Sequence, residues 1–172
     1  VYVDASRLHL LNDSFIGLCE AILEETNFFV MQHPHKHTYL EECAEYYNRG
    51  WVDEKTLIEF TQEIKGSGYK FNKFFSPMCT ILIRRNQWHF NDLWWDWYIK
   101  GGVRDQLSFS VALQLSKTKY ETEDARSFLN RFTDAEPNGI WWKNSTGDYK
   151  YHEGGDPSDL IDKLSVITGL NK

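Results

Sequence analysis

Cysteine is scarce in this chain, and what there is lies scattered. Cys19, Cys43 and Cys79 stand far apart with no Cys-x-x-Cys spacing, which excludes a disulfide framework and a zinc-ribbon type of site. An odd number of thiols in apolar patterns fits a reducing compartment, so the expected location is the cytoplasm. No apolar run approaches the length needed to cross a bilayer, and the start does not read as a signal peptide. Basic residues are also short: 19 Lys and Arg against 25 Asp and Glu leave a formal charge of −6. That argues against a general nucleic-acid binder, which needs clustered Lys and Arg to meet phosphates. Internal repeats, low-complexity tracts and domain linkers are missing too.

What is present is enough for one folded domain spanning residues 1–172. Hydrophobic residues make up 41% of the chain, which favours a packed core over disorder. Aromatics reach 16% with seven Trp. A small core seldom uses so many, so some rings are expected to line a site.

The periodicities alternate between strand and helix. Val1-Tyr2-Val3 favours a strand that ends in Asp4-Ala5-Ser6. Asp13 or Ser14 can cap a helix running to about Glu25, with Phe15, Leu18, Cys19 and Ile22 on one face. Phe28 to Met31 read as a strand, closed by Gln32-His33-Pro34. Thr38 and Glu41 form a capping box for a helix that Gly50 stops, and Asp53 caps another carrying Leu57, Phe60 and Ile64. Residues 78–85 read as a strand covered on both sides, with Cys79, Ile81 and Ile83 on one face and Thr80 and Leu82 on the other. Asn91 is expected to cap a helix whose Trp94, Trp97 and Tyr98 share a face, ended by Gly101-Gly102. Helices are then expected from Asp105, over 123–132 and over 158–168, with 137–156 irregular or a hairpin. The fold class is α/β: a mixed sheet flanked by helices. A complete doubly wound sheet needs more strands than these, so the fold is either small and mixed or the latter part of a larger domain.

Two places carry chemistry. Arg104-Asp105-Gln106 sets a carboxylate and an amide at the start of an apolar helical pattern, where backbone N–H groups can hold the acid. Asp105 is either a helix cap or a carboxylate facing a cleft. Asp4, at the carboxyl end of a strand, lies where open α/β sheets bind ligands; it either caps a turn or holds a divalent cation with oxygen from Ser6 or water. Arg84 and Arg104 can each pair with a phosphate or a carboxylate. Trp94 and Trp95 cannot share one helix face, so one belongs to the core and the other can wall a ligand site. Trp141-Trp142 is a further candidate platform. His33, His35 and His37 alternate, a spacing that can bind zinc from an extended segment, though Pro34 and Lys36 point to a solvated loop. His33, at its strand end, is the better substrate contact.

In order, Val3-Asp4-Ala5-Ser6, Phe29-Val30-Met31-Gln32-His33-Pro34, Thr38 to Cys43, Ile81 to Asn86, Trp94-Trp95 and Arg104 to Phe109 resemble one family. It is the plant and viral family of GT-A-type glycosyltransferases, once filed as an uncharacterised domain, which includes enzymes that large algal viruses use to decorate their capsid protein. The resemblance covers residues 1–116. It implies a GT-A-like fold, lacking the N-terminal nucleotide-binding strands if the chain begins at Val1. It also implies hexosyl or deoxyhexosyl transfer from a UDP-sugar donor to a glycan or glycoprotein acceptor, with Mn2+ or Mg2+ as cofactor. By that resemblance Asp4, Ser6 and His152 are the metal ligands, with Ser6 standing where the usual Asp-x-Asp motif has its second acid. On this reading Asp105 is the candidate catalytic carboxylate, with Gln106 bonding sugar hydroxyls; His33, Arg84, Arg104, Trp94 and Trp95 are candidate substrate contacts, against structural ion pairs for the arginines and core packing for the tryptophans. A non-catalytic carbohydrate-binding domain is the main rival, and a zinc hydrolase built on the histidines is the third reading.

Overall fold

The computed structural model describes residues 2–3, 14–34, 37–101, 104–129 and 156–171. The chain is mixed α/β, and its described residues fall into two compact units.

One unit draws on the described parts of 1–35, 77–87 and 119–149. Its four-stranded sheet has the order β1-β3-β2-β4, with β1 Tyr2–Val3, β2 Phe28–Gln32, β3 Pro77–Arg84 and β4 Glu121–Asp124. Pairing is antiparallel except between β2 and β4, which run parallel. Two helices, α1 (Ser14–Glu25) and α6 (Ala125–Leu129), pack on this sheet. Phe15 and Cys19 of α1 meet Phe29, Met31, Ile81 and Ile83 of the strands and Phe128 of α6 in one apolar cluster. Phe28, Val30 and Leu82, on alternate positions, are buried as well. The reading of β3 as a doubly covered strand therefore holds.

One face assignment is corrected. Between Val30 and Met31 the register jumps from Leu82 to Met78, so one step along β2 matches four along β3 and the extra residues form a bulge. The bulge brings Met78, not Cys79, into the cluster with Ile81 and Ile83. The expected helix over 123–132 also starts late. Residues 121–124 pair with β2 first, and the helix begins at Ala125, with Asp124 accepting from the backbone N–H groups of Arg126 and Ser127.

The other unit is helical: the described parts of 36–76, 88–118 and 150–172. It holds α2 (Tyr39–Asn48), α3 (Glu54–Gly66), α4 (Trp88–Gly101), α5 (Asp105–Ser116) and α7 (Ser158–Thr168). The expected caps are in place. Thr38 accepts from the Glu41 backbone while the Glu41 carboxylate takes the Thr38 N–H at 2.7 Å. Asp53 accepts from both the N–H and the hydroxyl of Thr56 at 2.8 Å. Asn91 is not a cap: α4 starts at Trp88. Its inward stripe is Phe90, Trp94, Trp97 and Gly101, while Tyr98 is turned out. Tyr39, Tyr46, Leu57, Phe60, Ile64, Leu107, Val111 and Leu164 form this unit's core. Residues 107–113 of α5 are all buried, including Ser108 and Ser110, as in a helix surrounded on every side. Ser110 is satisfied by the Tyr69 hydroxyl at 3.0 Å and the Phe75 N–H at 3.2 Å. No helix among the described residues is long and apolar enough to cross a membrane.

Candidate active site

The polar groups of the helical unit gather where the inner face of α2 meets the head of α5. Tyr39, Glu42, Cys43 and Tyr46 recur at helical spacing and are all buried. Glu42 is an acid on that apolar stripe, only 4% exposed. Burial of a carboxylate is costly unless partners surround it. Its Oε2 lies 3.0 Å from His37 Nδ1 and accepts the Ser76 hydroxyl at 3.5 Å. The Glu42 carboxylate in turn raises the pKa of His37 above the ordinary imidazole range through their hydrogen bond; burial opposes this and the charges of Glu45 and Glu41 reinforce it.

Asp105 is the first residue of α5, after Arg104 in extended geometry. It is half-buried, and burial pushes its carboxyl above the usual range. Arg104 and the backbone N–H groups of Asp105 and Gln106 pull the other way, and the Glu42 charge adds to the rise. The Gln106 Oε1 accepts the Tyr46 hydroxyl at 2.8 Å, which fixes the amide. Trp51 receives two guanidinium groups, Arg104 at 4.1 Å from the ring centre and Arg49 at 4.8 Å, and Tyr46 lies 5.8 Å away. The result is a carboxylate with strengthened basicity, an oriented amide and two cations anchored on one indole. A cleft of about 410 Å³ opens at the imidazole partner of Glu42, lined by His37, Thr38, Leu40, Phe71, Phe74 and Ile161; Asp105, Gln106 and Trp51 do not line it.

Of the residues expected at a site, this arrangement unites Arg104, Asp105 and Gln106. Trp94 packs against Phe109 at 4.9 Å and Phe90 at 5.8 Å, so it is the core member of the tryptophan pair. Its Nε1–H is buried with no hydrogen-bond partner among the described residues. Trp95 is 62% exposed and stacks on Tyr98. His33 and Arg84 belong to the sheet unit; His33 follows β2, and Arg84 ends β3 with its guanidinium 5.7 Å from the Phe28 ring. Burial lowers the Arg84 pKa. Asp4, Ser6, His35, Trp141, Trp142 and His152 lie outside the described residues. Among those described, no group of three or more His, Cys, Asp or Glu side chains is placed to hold a metal ion.

Set against protein-family models, curated proteins and solved structures, the chain has no match.

Four participants escaped the sequence reading: Glu42, Tyr46, Arg49 and Trp51. Glu42 had a signal, since an acid interrupting the stripe of Tyr39, Cys43 and Tyr46 needs a buried partner. Tyr46 had none, because its partner Gln106 lies 60 residues away.

Proposed function

We propose that the chain is a GT-A-type glycosyltransferase domain that moves a sugar from a UDP-sugar donor to a glycan or glycoprotein acceptor. The observation that carries this reading is Asp105, a half-buried carboxylate with raised pKa beside the oriented amide of Gln106. A carboxylate in that environment is a better proton acceptor than one in water. In the transfer, the acceptor hydroxyl oxygen forms a bond to the anomeric carbon as the bond to the diphosphate oxygen breaks. The electron pair leaves with the diphosphate, and the hydroxyl proton passes to Asp105. Gln106 donates its amide hydrogens to a sugar hydroxyl, and Arg104 faces the negative charge of the donor. Mn2+ or Mg2+ belongs to this reading: Asp4, Ser6 and His152, all outside the described residues, would hold it, and the bound cation would neutralise charge on the leaving diphosphate.

Calorimetric titration of UDP with and without manganese, followed by a transfer assay over UDP-sugars, tests it. Manganese-dependent UDP binding is expected, with Asp105→Asn binding UDP normally and transferring at least about 100-fold more slowly. Absence of UDP binding under both conditions sinks the reading, as does an Asp105→Asn variant with full turnover.

The exposed Trp95–Tyr98 stack favours a second reading, a carbohydrate-binding domain without turnover. It predicts glycan capture that Asp105→Asn leaves intact, with no transfer from any nucleotide sugar.

A further inference from the structure

Helix α4 carries aromatic side chains on both sides. The inward stripe of Phe90, Trp94, Trp97 and Gly101 packs into the helical unit. Opposite it, at turns of the helix that bring them into one row, stand Trp88, Asp92, Trp95 and Ile99. Trp88 is 72% exposed, Trp95 62% and Ile99 58%. Tyr98 flanks the row and stacks on Trp95, the ring centres 6.1 Å apart and the planes 19° from parallel, which braces the Trp95 indole. A contiguous exposed row of this kind marks a binding surface rather than a scattered apolar side chain.

We propose that this outer face of α4 is a platform for an extended, uncharged glycan chain. Trp88 and the Trp95–Tyr98 pair are its two stacking stations, and Asp92 between them accepts hydroxyl hydrogens. The proposal rests on the reading above in taking that glycan as the acceptor.

Spacing supports this occupant. Trp88 and Trp95 stand seven positions apart on the helix, an axial distance of about 10.5 Å, close to the advance of two sugar units along an extended β-1,4-linked chain. Side-chain chemistry agrees, because indole and phenol rings offer flat faces to sugar C–H groups while a carboxylate between them takes hydroxyl hydrogens. Charge argues against the other occupants. Asp92 and Asp96 lie on or beside the row, whereas a helix that lies on a membrane surface carries Lys and Arg on its flanks. A second copy docking face to face would drive Asp92 of each chain into a dry, like-charged contact.

The test uses the full chain and β-1,4-linked gluco-, xylo- and manno-oligosaccharides of two to six units, read by tryptophan fluorescence and calorimetry. Affinity is expected to climb steeply in one of the series once the oligosaccharide is long enough to reach both stations. Trp88→Ala and Trp95→Ala are each expected to weaken hexasaccharide binding at least about fivefold with unchanged circular dichroism. Neither side chain belongs to the core, so both variants should fold. No binding in any series overturns the proposal, and so does binding that both variants leave unchanged. A dimer in sedimentation that Trp95→Ala dissociates also overturns it, assigning the face to self-association. A chain that transfers sugar but shows no length-dependent binding refutes the platform alone. One that binds as expected yet transfers nothing refutes the transferase reading alone.

Discussion

Asp105 is kept half-buried with its carboxyl above the usual range, and this has a consequence for stability with a definite sign. A raised folded-state pKa means the native chain holds its proton to higher pH than the unfolded chain does. The ionisation penalty is therefore absent well below the ordinary carboxylate range and fully present above the raised value. Asp105→Asn should raise stability at pH 7 by up to about 1 kcal/mol, and the gain should vanish near pH 3. Urea unfolding at the two pH values checks it; a variant less stable at pH 7 would make Asp105 a structural cap instead. Stability gained together with loss of the proposed transfer would mark a residue held for function. His37 behaves in the opposite way. Its pKa is raised by Glu42, so the pair's contribution is complete below the ordinary imidazole value near 6.5 and fades as pH rises through the higher folded value. His37→Ala should cost about 1 kcal/mol at pH 6 and clearly less at pH 9, as measured by the shift in unfolding midpoint.

At the scale of elements, helix starts are where this sequence is most explicit. Thr38 with Glu41 satisfies two otherwise orphaned backbone donors at the head of α2, so Thr38→Ala should destabilise the chain by about 1 kcal/mol in thermal or urea unfolding. These signals are local, three residues apart, and so were legible without a fold. The capping box, Asp53 and the end of α4 at Gly101 were all readable this way. The misses have one cause, long-range pairing that overrides local preference. Glu121-Thr122-Glu123-Asp124 is a polar, acid-rich stretch with no strand pattern, and it becomes β4 only because β2 supplies a parallel edge. The bulge in β3 moves Met78 into the place expected for Cys79, and nothing near Cys79 announces it. Of the candidate site, Asp105 and Gln106 were legible as a helix start with a carboxylate. Their setting was not, since Tyr46 reaches Gln106 from a distant helix and Trp51 meets the neighbouring Arg104 from a loop.

For the molecule as a whole, the thiols report on the two cores separately. Cys19 is buried in the sheet unit against Phe15 and Phe128's cluster, and Cys43 is fully buried in the helical unit beside Tyr39. Burial raises both thiol pKa values, which removes the reactive thiolate as well as the access. Neither should react with an aromatic disulfide reagent in the native chain on the timescale that labels a free thiol. Phe128 packs on Phe29 at 5.1 Å and has no exposed surface, so Phe128→Ala opens a hole in the sheet unit at a cost of about 3–5 kcal/mol. Each unit has its own apolar cluster, and locally weakened clusters open at lower free energy than the rest. The expected result is that Phe128→Ala speeds labelling of Cys19 well beyond that of Cys43, read by mass spectrometry of the modified peptides. Equal acceleration at both positions would instead show that the two cores open together as one cooperative structure.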